Sequence, residues 1–191
     1  NGNGTLEPFL KDGFVVIVLK YRTVPDSIKQ VAENALLDAK RAVRITRHHA
    51  NEWGIDSSKI GVIGWSAGGN LTLNLGTHFD KGDAAATDPI DRQSSRPDYV
   101  AMLCPWPGGR KITDYPLPAD PPPAFIASAK DDDTAPTRFA EEINAAWTKT
   151  GGASNLWIIE TGGHRAFSYD STGEGSHWRD HFMKWLGNLP R

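Results

Sequence analysis

The strongest signal for the fold lies in the segment Ile60-Gly61-Val62-Ile63-Gly64-Trp65-Ser66-Ala67-Gly68-Gly69. It begins as a short apolar run typical of a buried strand, and a leucine-rich stretch with helical character follows it directly. Gly64, Ser66 and Gly68 therefore fall where a strand passes at once into a helix. This context is typical of a sharp turn that projects the serine side chain above a parallel sheet.

Further apolar runs rich in Val, Ile and Ala occur on both sides of this segment, and each has the length of a strand. They predict strands at residues 14–19, 59–64, 99–104, 124–129 and 156–159. The run at 14–19 is continuous, so we expect it to be buried on both faces, as in a parallel sheet.

Helical spacing of apolar residues separates these runs. It predicts helices over residues 25–49, over the stretch after Ser66, and over 137–150 and 178–189. The polar stretch 80–97 and the Pro- and Gly-rich stretch 105–123 predict surface loops. Alternating strands and helices predict an α/β fold, with a mostly parallel sheet covered by helices on both faces. At 191 residues, the chain is expected to form a single domain over residues 1–191.

Ser66 is the candidate nucleophile. At such a turn its backbone is strained and its hydroxyl is exposed, and Gly64 and Gly68 are expected to remove side chains that would collide. Gly69 allows the helix to pack closely. The Ala67 amide, at the helix N terminus, is expected to donate to an oxyanion. The alternative is a tight turn whose serine only caps the helix.

A serine hydroxyl needs a base, and we expect that base to be His164, one of six histidines. His164 follows a strand and Thr161-Gly162-Gly163, which places it on a loop at the carboxyl edge of the sheet. The alternative is an ordinary solvent-facing loop histidine. His177 and His181 are four residues apart but lack the accompanying glutamate of zinc proteases, so no metal site is predicted.

The base in turn needs an orienting carboxylate, which in this type of fold lies between the serine and the histidine in the chain. Asp131-Asp132-Asp133 follow the predicted strand at 124–129 and fit this order. Three adjacent aspartates are also consistent with a solvated turn or with a cap on the next helix. The residues alone do not say which of the three contacts His164.

Charge and cysteine content exclude other classes of function. The formal net charge of −2 gives no reason to expect binding to nucleic acid or to an anionic membrane. No apolar run approaches the roughly 20 residues of a membrane-spanning helix. The single cysteine, Cys104, excludes an internal disulfide and is expected to be a small core residue. No cofactor is predicted.

Five motifs make the chain resemble the α/β-hydrolase fold esterases, in particular the acetyl-xylan-esterase-like and feruloyl-esterase-like group. The resemblance covers nearly the whole chain. The motifs are Val18-Leu19-Lys20-Tyr21-Arg22, Gly64-Trp65-Ser66-Ala67-Gly68-Gly69, Ser95-Arg96-Pro97-Asp98-Tyr99, Asp131-Asp132-Asp133-Thr134-Ala135-Pro136 and Gly162-Gly163-His164.

The resemblance implies a carboxylic ester hydrolase that acts through an acyl-enzyme. Its triad would be Ser66, His164 and Asp132, because aligning Pro136 with the family's Asp-x-x-Val-Pro loop selects Asp132. The family suggests acetyl or other short acyl groups on a plant polysaccharide. The expected partner is therefore a small-molecule or polysaccharide ester.

Three residues are candidates for the substrate pocket. Trp65 and Trp106 carry aromatic rings suited to a sugar, and Arg165 places a cation next to the base. The alternative for the two tryptophans is that they are buried aromatic residues. The family usually has a His-Gly-Gly-Gly-like loop that gives a second oxyanion amide, and this sequence contains none. We therefore expect the chain to lack the N-terminal strands of the fold.

Two alternative functions stay open at this point. A serine peptidase of the prolyl-oligopeptidase type shares the same nucleophile turn and the same order of triad residues. A catalytically impaired hydrolase-fold protein would explain why the second oxyanion loop is missing. Hydrolysis of esters and peptides would separate the esterase from the peptidase. Labelling of Ser66 by a fluorophosphonate would separate both enzymes from the impaired protein.

Overall fold

The computed structural model of the chain describes residues 3–23, 27–168 and 170–189. The α-helices are α1 (Asn3–Lys11), α2 (Ile28–His48), α3 (Ala67–His78), α4 (Thr137–Lys149) and α5 (Trp178–Gly187). The strands are β1 (Gly61–Trp65), β2 (Tyr99–Leu103), β3 (Ala124–Ala129) and β4 (Ser154–Ile159). Short 3-10 helices occur at Ile112–Asp114, Gly163–Arg165 and Glu174–His177.

The four strands form one parallel sheet in the order β1-β2-β3-β4. Helix α3 connects β1 to β2, the excursion 105–123 connects β2 to β3, and α4 connects β3 to β4. Parallel neighbours require such crossovers, since the chain must return to the same end of the sheet before each new strand. The predicted α/β fold with a parallel sheet is confirmed.

Both faces of the sheet are covered. One face of β2 contributes Leu103 to a core cluster with Phe9 of α1 and Phe182 of α5. The opposite face contributes Met102 to a second cluster with Trp147 of α4. Successive side chains of a strand point to opposite faces, so helices on both sides bury the whole of β2 and β3. This burial explains why these two strands are continuous apolar runs in the sequence.

The strand predicted at residues 14–19 is wrong. The segment is extended, but within the described part of the chain no strand forms a ladder with it. Phe14 and Val16 pack against the cluster that lies between the sheet and α5, whereas Val15 and Ile17 are 54% and 49% exposed. One face of the segment is therefore covered and the other is not. An apolar run indicates that burial would be favourable, but it does not supply the neighbouring strands.

The remaining differences concern the helices. Helix α1 was not predicted, and its Phe9 is buried in the core. Helix α2 begins at Ile28, where the Ser27 hydroxyl accepts a hydrogen bond from the Gln30 amide at 3.2 Å. The predicted start at residues 25 and 26 lies outside the described residues. Within the described ranges, no helix combines the length and the apolar character needed to cross a membrane.

Candidate active site

The chemically interesting side chains lie at one edge of the sheet. Because all four strands are parallel, the segments that follow them leave the sheet at the same, carboxyl edge. Ser66 follows β1 and Cys104 follows β2, while Asp132 comes after β3 and His164 after β4. Residues that are up to 98 positions apart in the chain therefore meet at this edge.

Ser66 occupies the strained turn that the sequence predicts. Its backbone angles are φ 57° and ψ −119°, a conformation that costs a non-glycine residue roughly 1–3 kcal/mol. Its amide donates to the Leu103 carbonyl at 2.9 Å, and its own carbonyl accepts from the Trp106 amide at 3.1 Å. These bonds to the chain after β2 hold the turn. The Ser66 side chain forms no capping bond to α3, so the reading of this serine as only a helix cap is wrong.

A hydrogen-bonded chain joins Ser66, His164 and Asp132. The Ser66 Oγ atom lies 2.7 Å from His164 Nε2, and His164 Nδ1 lies 2.8 Å from Asp132 Oδ2. With a proton on Nδ1, the imidazole donates to the carboxylate and accepts from the serine hydroxyl. The Asp132 side chain has no solvent exposure, whereas that of His164 is 21% exposed. This arrangement is the geometry that a general base needs toward a serine nucleophile.

The backbone after β3 orients the Asp132 carboxylate. Its Oδ1 atom accepts hydrogen bonds from the amides of Thr134 at 2.9 Å and Ala135 at 2.8 Å. These two bonds fix the carboxylate so that both of its oxygens face the imidazole, with His164 Nδ1 2.8 Å from Oδ2 and 3.1 Å from Oδ1. Thr137, the first residue of α4, donates to the Ala129 carbonyl at 2.7 Å and fixes the loop between the strand and the helix.

Asp131 also contacts the backbone of the histidine loop, the segment 162–165 that carries His164. Its two carboxylate oxygens accept from the amides of Gly162 at 3.0 Å and Gly163 at 2.8 Å. These two bonds hold the pKa of the Asp131 carboxyl below its usual value. The alternative reading of the three aspartates, as only a solvated turn or a helix cap, therefore does not describe Asp131. Asp133 is exposed, and its side chain forms no hydrogen bond within the described part of the chain.

The Ala67 amide has the position expected of an oxyanion donor. Ala67 is the first residue of α3, and the first hydrogen bond within this helix joins the Asn70 amide to the Ser66 carbonyl at 3.0 Å. The Ala67 amide therefore has no acceptor within the helix, and it lies next to the Ser66 hydroxyl in the chain. The role of this amide as an oxyanion donor, at the positive end of α3, stays a prediction.

Comparison with protein families matches residues 1–116 to the BD-FAE family, which is esterase- and feruloyl-esterase-like. The chain belongs to the BD-FAE family. The matched residues run from before the extended segment at 14–19, through the turn at Ser66, into the first part of the excursion after β2. They end before Asp132 and His164, so those two positions are supported by geometry.

Three proteins illustrate what this BD-FAE chain is similar to, and two of them have solved structures. It is 34% identical over 98 residues to endo-1,4-beta-xylanase B of Butyrivibrio fibrisolvens. The aligned residues make up 51% of this chain and only 15% of that protein. It is 30% identical to the crystal structure of an acetyl ester-xyloside bifunctional hydrolase from Caldicellulosiruptor lactoaceticus, with a TM-score of 0.78 over 88% of this chain and 69% of that one. It is 20% identical to the crystal structure of MGS-M1, an α/β hydrolase from a Medee basin deep-sea metagenome library. That match has a TM-score of 0.76 and covers 97% of this chain and 75% of MGS-M1. These likenesses confirm the α/β-hydrolase fold.

The three predicted pocket residues of this BD-FAE chain have different surroundings. Trp65 is 39% exposed, and its indole Nε1 donates to the His164 carbonyl at 3.0 Å. Trp106 is half-buried beside the turn, and its carbonyl accepts from Asn70 Nδ2 at 2.7 Å. Arg165 pairs with Asp170 at 2.6 Å and keeps an exposed side chain. Their roles in a substrate pocket stay a prediction.

Cys104 is a buried core residue, as the sequence predicts. Its sulfur and the nearest ligand atoms of Asp132 and His164 all lie within 4.8 Å of one another, the one such group in the described part of the chain. Burial, followed by the adjacent Asp132 carboxylate, raises the pKa of the Cys104 thiol. A metal would need the thiolate and a free imidazole nitrogen. The hydrogen bonds already present favour a triad over a metal centre.

Of the three glycines around Ser66, Gly64 is required by packing and Gly69 lies where the backbone approaches closely. A Cβ atom at Gly64 would lie 2.1 Å from the Gly68 carbonyl oxygen, and one at Gly69 would lie 3.1 Å from Pro105 Cα. The expectations for Gly64 and Gly69 are therefore confirmed. A Cβ atom at Gly68 would meet no atom within 4 Å, so the expected collision at this position is wrong.

This difference gives a matched pair of variants. We expect Gly64→Ala to lower the free energy of unfolding by roughly 1–3 kcal/mol, because the new methyl group overlaps backbone that cannot move freely. Gly68→Ala places the same methyl group in open space and is expected to change stability little. Urea unfolding of both variants measures the difference, and equal losses would contradict this account of the turn.

Proposed function

We propose that this chain is a carboxylic ester hydrolase that removes acetyl or other short acyl groups from a carbohydrate. The observation that carries the proposal is the hydrogen-bonded chain from Asp132 through His164 to Ser66. The family and the xyloside-related relatives support the same reaction class. Since the match to the xylanase spans only 15% of that protein, its own activity is not transferred.

The first half of the reaction forms an acyl-enzyme. Ser66 Oγ attacks the ester carbonyl carbon while its proton passes to His164 Nε2, and the carbonyl electrons move onto oxygen. The Asp132 carboxylate stabilises the imidazolium that results. When the tetrahedral intermediate collapses, the carbon–oxygen bond to the alcohol breaks and the alcohol oxygen takes the proton from Nε2. The acyl group stays on Ser66.

The second half releases the acid. His164 takes a proton from a water molecule, and the water oxygen attacks the acyl carbon. Collapse of this second intermediate breaks the bond to Ser66 Oγ, which recovers the proton from Nε2. The carboxylic acid leaves, and serine, imidazole and carboxylate return to their starting protonation states.

The oxyanion of both intermediates is assigned to the Ala67 amide. Each preorganised donor of this kind contributes about 2.7–4 kcal/mol to transition-state stabilisation. The sequence has no His-Gly-Gly-Gly-like loop to supply a second donor.

The rings beside Ser66 favour a sugar ester. Trp65 and Trp106 flank the turn, and hydrogen bonds at their indole or backbone fix their positions. Aromatic faces pack well against the apolar faces of a pyranose ring, because they supply a large contact area and little flexibility. The similarity to an acetyl ester-xyloside bifunctional hydrolase supports this choice of substrate.

The test compares three substrates on the same protein. We expect release of 4-nitrophenol from 4-nitrophenyl acetate and of acetate from acetylated xylo-oligosaccharides, with no cleavage of a peptide 4-nitroanilide. Ser66→Ala serves as the blank for each assay. Peptide cleavage faster than ester cleavage would favour the peptidase alternative, and an absence of Ser66-dependent turnover on all three would favour the impaired protein.

A further inference from the structure

We propose that Asp131 and Trp65 are positioning residues that hold the histidine loop in register with Ser66. Neither belongs to the triad, and each contacts the backbone of the loop on a different side of the imidazole. The kinetic consequence rests on the proposed function, whereas the structural role does not need turnover.

Asp131 holds the loop from the β3 side. Its two oxygens accept from the successive amides of Gly162 and Gly163, 31 and 32 residues further along the chain. Both glycines have positive φ angles, 137° and 58°, so the backbone here takes a shape that few residues adopt. A carboxylate that binds two consecutive amides fixes this shape just before His164.

Trp65 holds the loop from the β1 side. Its indole N–H donates to the His164 carbonyl at 3.0 Å, and its ring packs against the imidazole with centroids 4.9 Å apart. Because Trp65 immediately precedes Ser66 at the end of β1, the indole ties the position of the base to that of the nucleophile. The backbone on both sides of the imidazole is thus tied to a strand of the sheet.

These contacts matter because the reaction depends on a short distance. A displacement of about 1 Å between reacting groups costs on the order of a hundredfold in rate. Asp132 contacts the imidazole itself, but it cannot fix the loop backbone that carries the ring. Asp131 and Trp65 supply that restraint, so the 2.7 Å separation of His164 Nε2 and Ser66 Oγ depends on them.

The lowered pKa of Asp131 keeps this restraint in place at neutral pH. The folded state binds the charged carboxylate through the amides of Gly162 and Gly163, so its pKa is depressed relative to the unfolded chain. Its contribution is therefore fully present above the usual aspartate range. It is lost only as the pH falls through the lowered value.

Steady-state kinetics of three carboxylate and indole variants test the proposal. We expect Asp131→Asn to lower kcat about tenfold with little change in KM, because one of the two amides loses its acceptor. Trp65→Phe keeps an aromatic ring but removes the indole N–H, and we expect a loss of about threefold. Asp133→Asn is the matched control, since it removes the same charge from an exposed neighbour, and it should leave kcat unchanged.

A second readout does not need turnover. Amide hydrogen exchange at Gly162 and Gly163 should be faster in Asp131→Asn than in wild type and unchanged in Asp133→Asn. If the wild type shows no Ser66-dependent ester hydrolysis, the proposed function fails and exchange alone decides this proposal. Equal exchange rates at these amides in Asp131→Asn and Asp133→Asn would overturn it. If Asp131→Asn does not fold, an unchanged kcat in Trp65→Phe would overturn it.

Discussion

Ser66→Ala is expected to reduce hydrolysis of a short-chain aryl ester to below a few per cent of wild type. The variant removes the atom that would attack the carbonyl, and loss of a serine nucleophile lowers kcat by about 10⁶-fold in a comparable triad enzyme. The strained backbone at φ 57° is unchanged by the substitution, and the turn keeps its backbone bonds to Leu103 and Trp106. Kinetics and thermal unfolding of the same preparation measure both effects.

Ser176→Ala is the control for this result. Ser176 is exposed, and among the described residues its hydroxyl bonds only to the Gly173 carbonyl, at 2.6 Å, far along the chain from the turn. It should retain wild-type kcat. Activity above a few per cent in Ser66→Ala, or a loss of similar size in Ser176→Ala, would mean that Ser66 is not the nucleophile.

Asp132→Asn is expected to lower kcat about 10⁴-fold, as the equivalent change does in a serine protease. The asparagine oxygen can keep the hydrogen bonds from the Thr134 and Ala135 amides, so the loop should stay in place. The amide NH₂ then faces His164 Nδ1 and donates to it. This places the imidazole proton on Nε2, which can no longer accept the proton of Ser66.

The neighbouring aspartates separate this effect from charge. Asp133→Asn should keep most of the activity, and Asp131→Asn should fall between the two, because it acts on the loop backbone. Rates of the three variants on one ester give the comparison. Equal losses in all three would mean that the cluster acts through its collective charge, and a larger loss at Asp131 or Asp133 would move the acid by one residue.

Apolar sequence patterns predict a strand well where that strand has neighbouring strands on both sides and helices on both faces. Strands β2 and β3 have strand neighbours on both sides and helices on both faces, so their burial appears directly as apolar runs. The run at 14–19 has the same composition, but only one of its faces is covered. A strand prediction depends on partners that composition does not record. Helix α1 is short and contains Pro8, and among its residues 6–11 only Phe9 is buried, so its pattern is weak.

In the candidate site too, some residues follow from sequence patterns and others only from contacts between distant parts of the chain. Ser66 stands in a strand-turn-helix pattern that spans about ten residues of sequence, so the sequence alone proposes it as the nucleophile, although bonds to Leu103 and Trp106 also hold the turn. Asp132 and His164 follow from chain order and from the family resemblance. The roles of Asp131 and Trp65 depend on contacts across 31 to 99 positions of the chain. No spacing rule predicts that a carboxylate after one strand binds two amides after the next.

The open space at Gly68 illustrates a further limit of sequence analysis. A glycine in a known motif suggests a steric explanation, and at Gly64 that explanation is confirmed, because an added Cβ atom would overlap the Gly68 carbonyl group. At Gly68 no atom lies within 4 Å of a Cβ atom, so the structure of the chain alone gives this glycine no steric role. Only the three-dimensional structure shows that Gly64 has a steric role and that Gly68 does not.

Covalent labelling tests the central claim, that His164 activates Ser66 as a nucleophile, most directly. The protein is incubated with a fluorophosphonate, and intact mass followed by peptide mapping locates the adduct. We predict one adduct per chain, on Ser66, absent from Ser66→Ala and formed far more slowly in Asp132→Asn. A folded wild-type protein that forms no adduct, or forms it on another residue, would contradict the account.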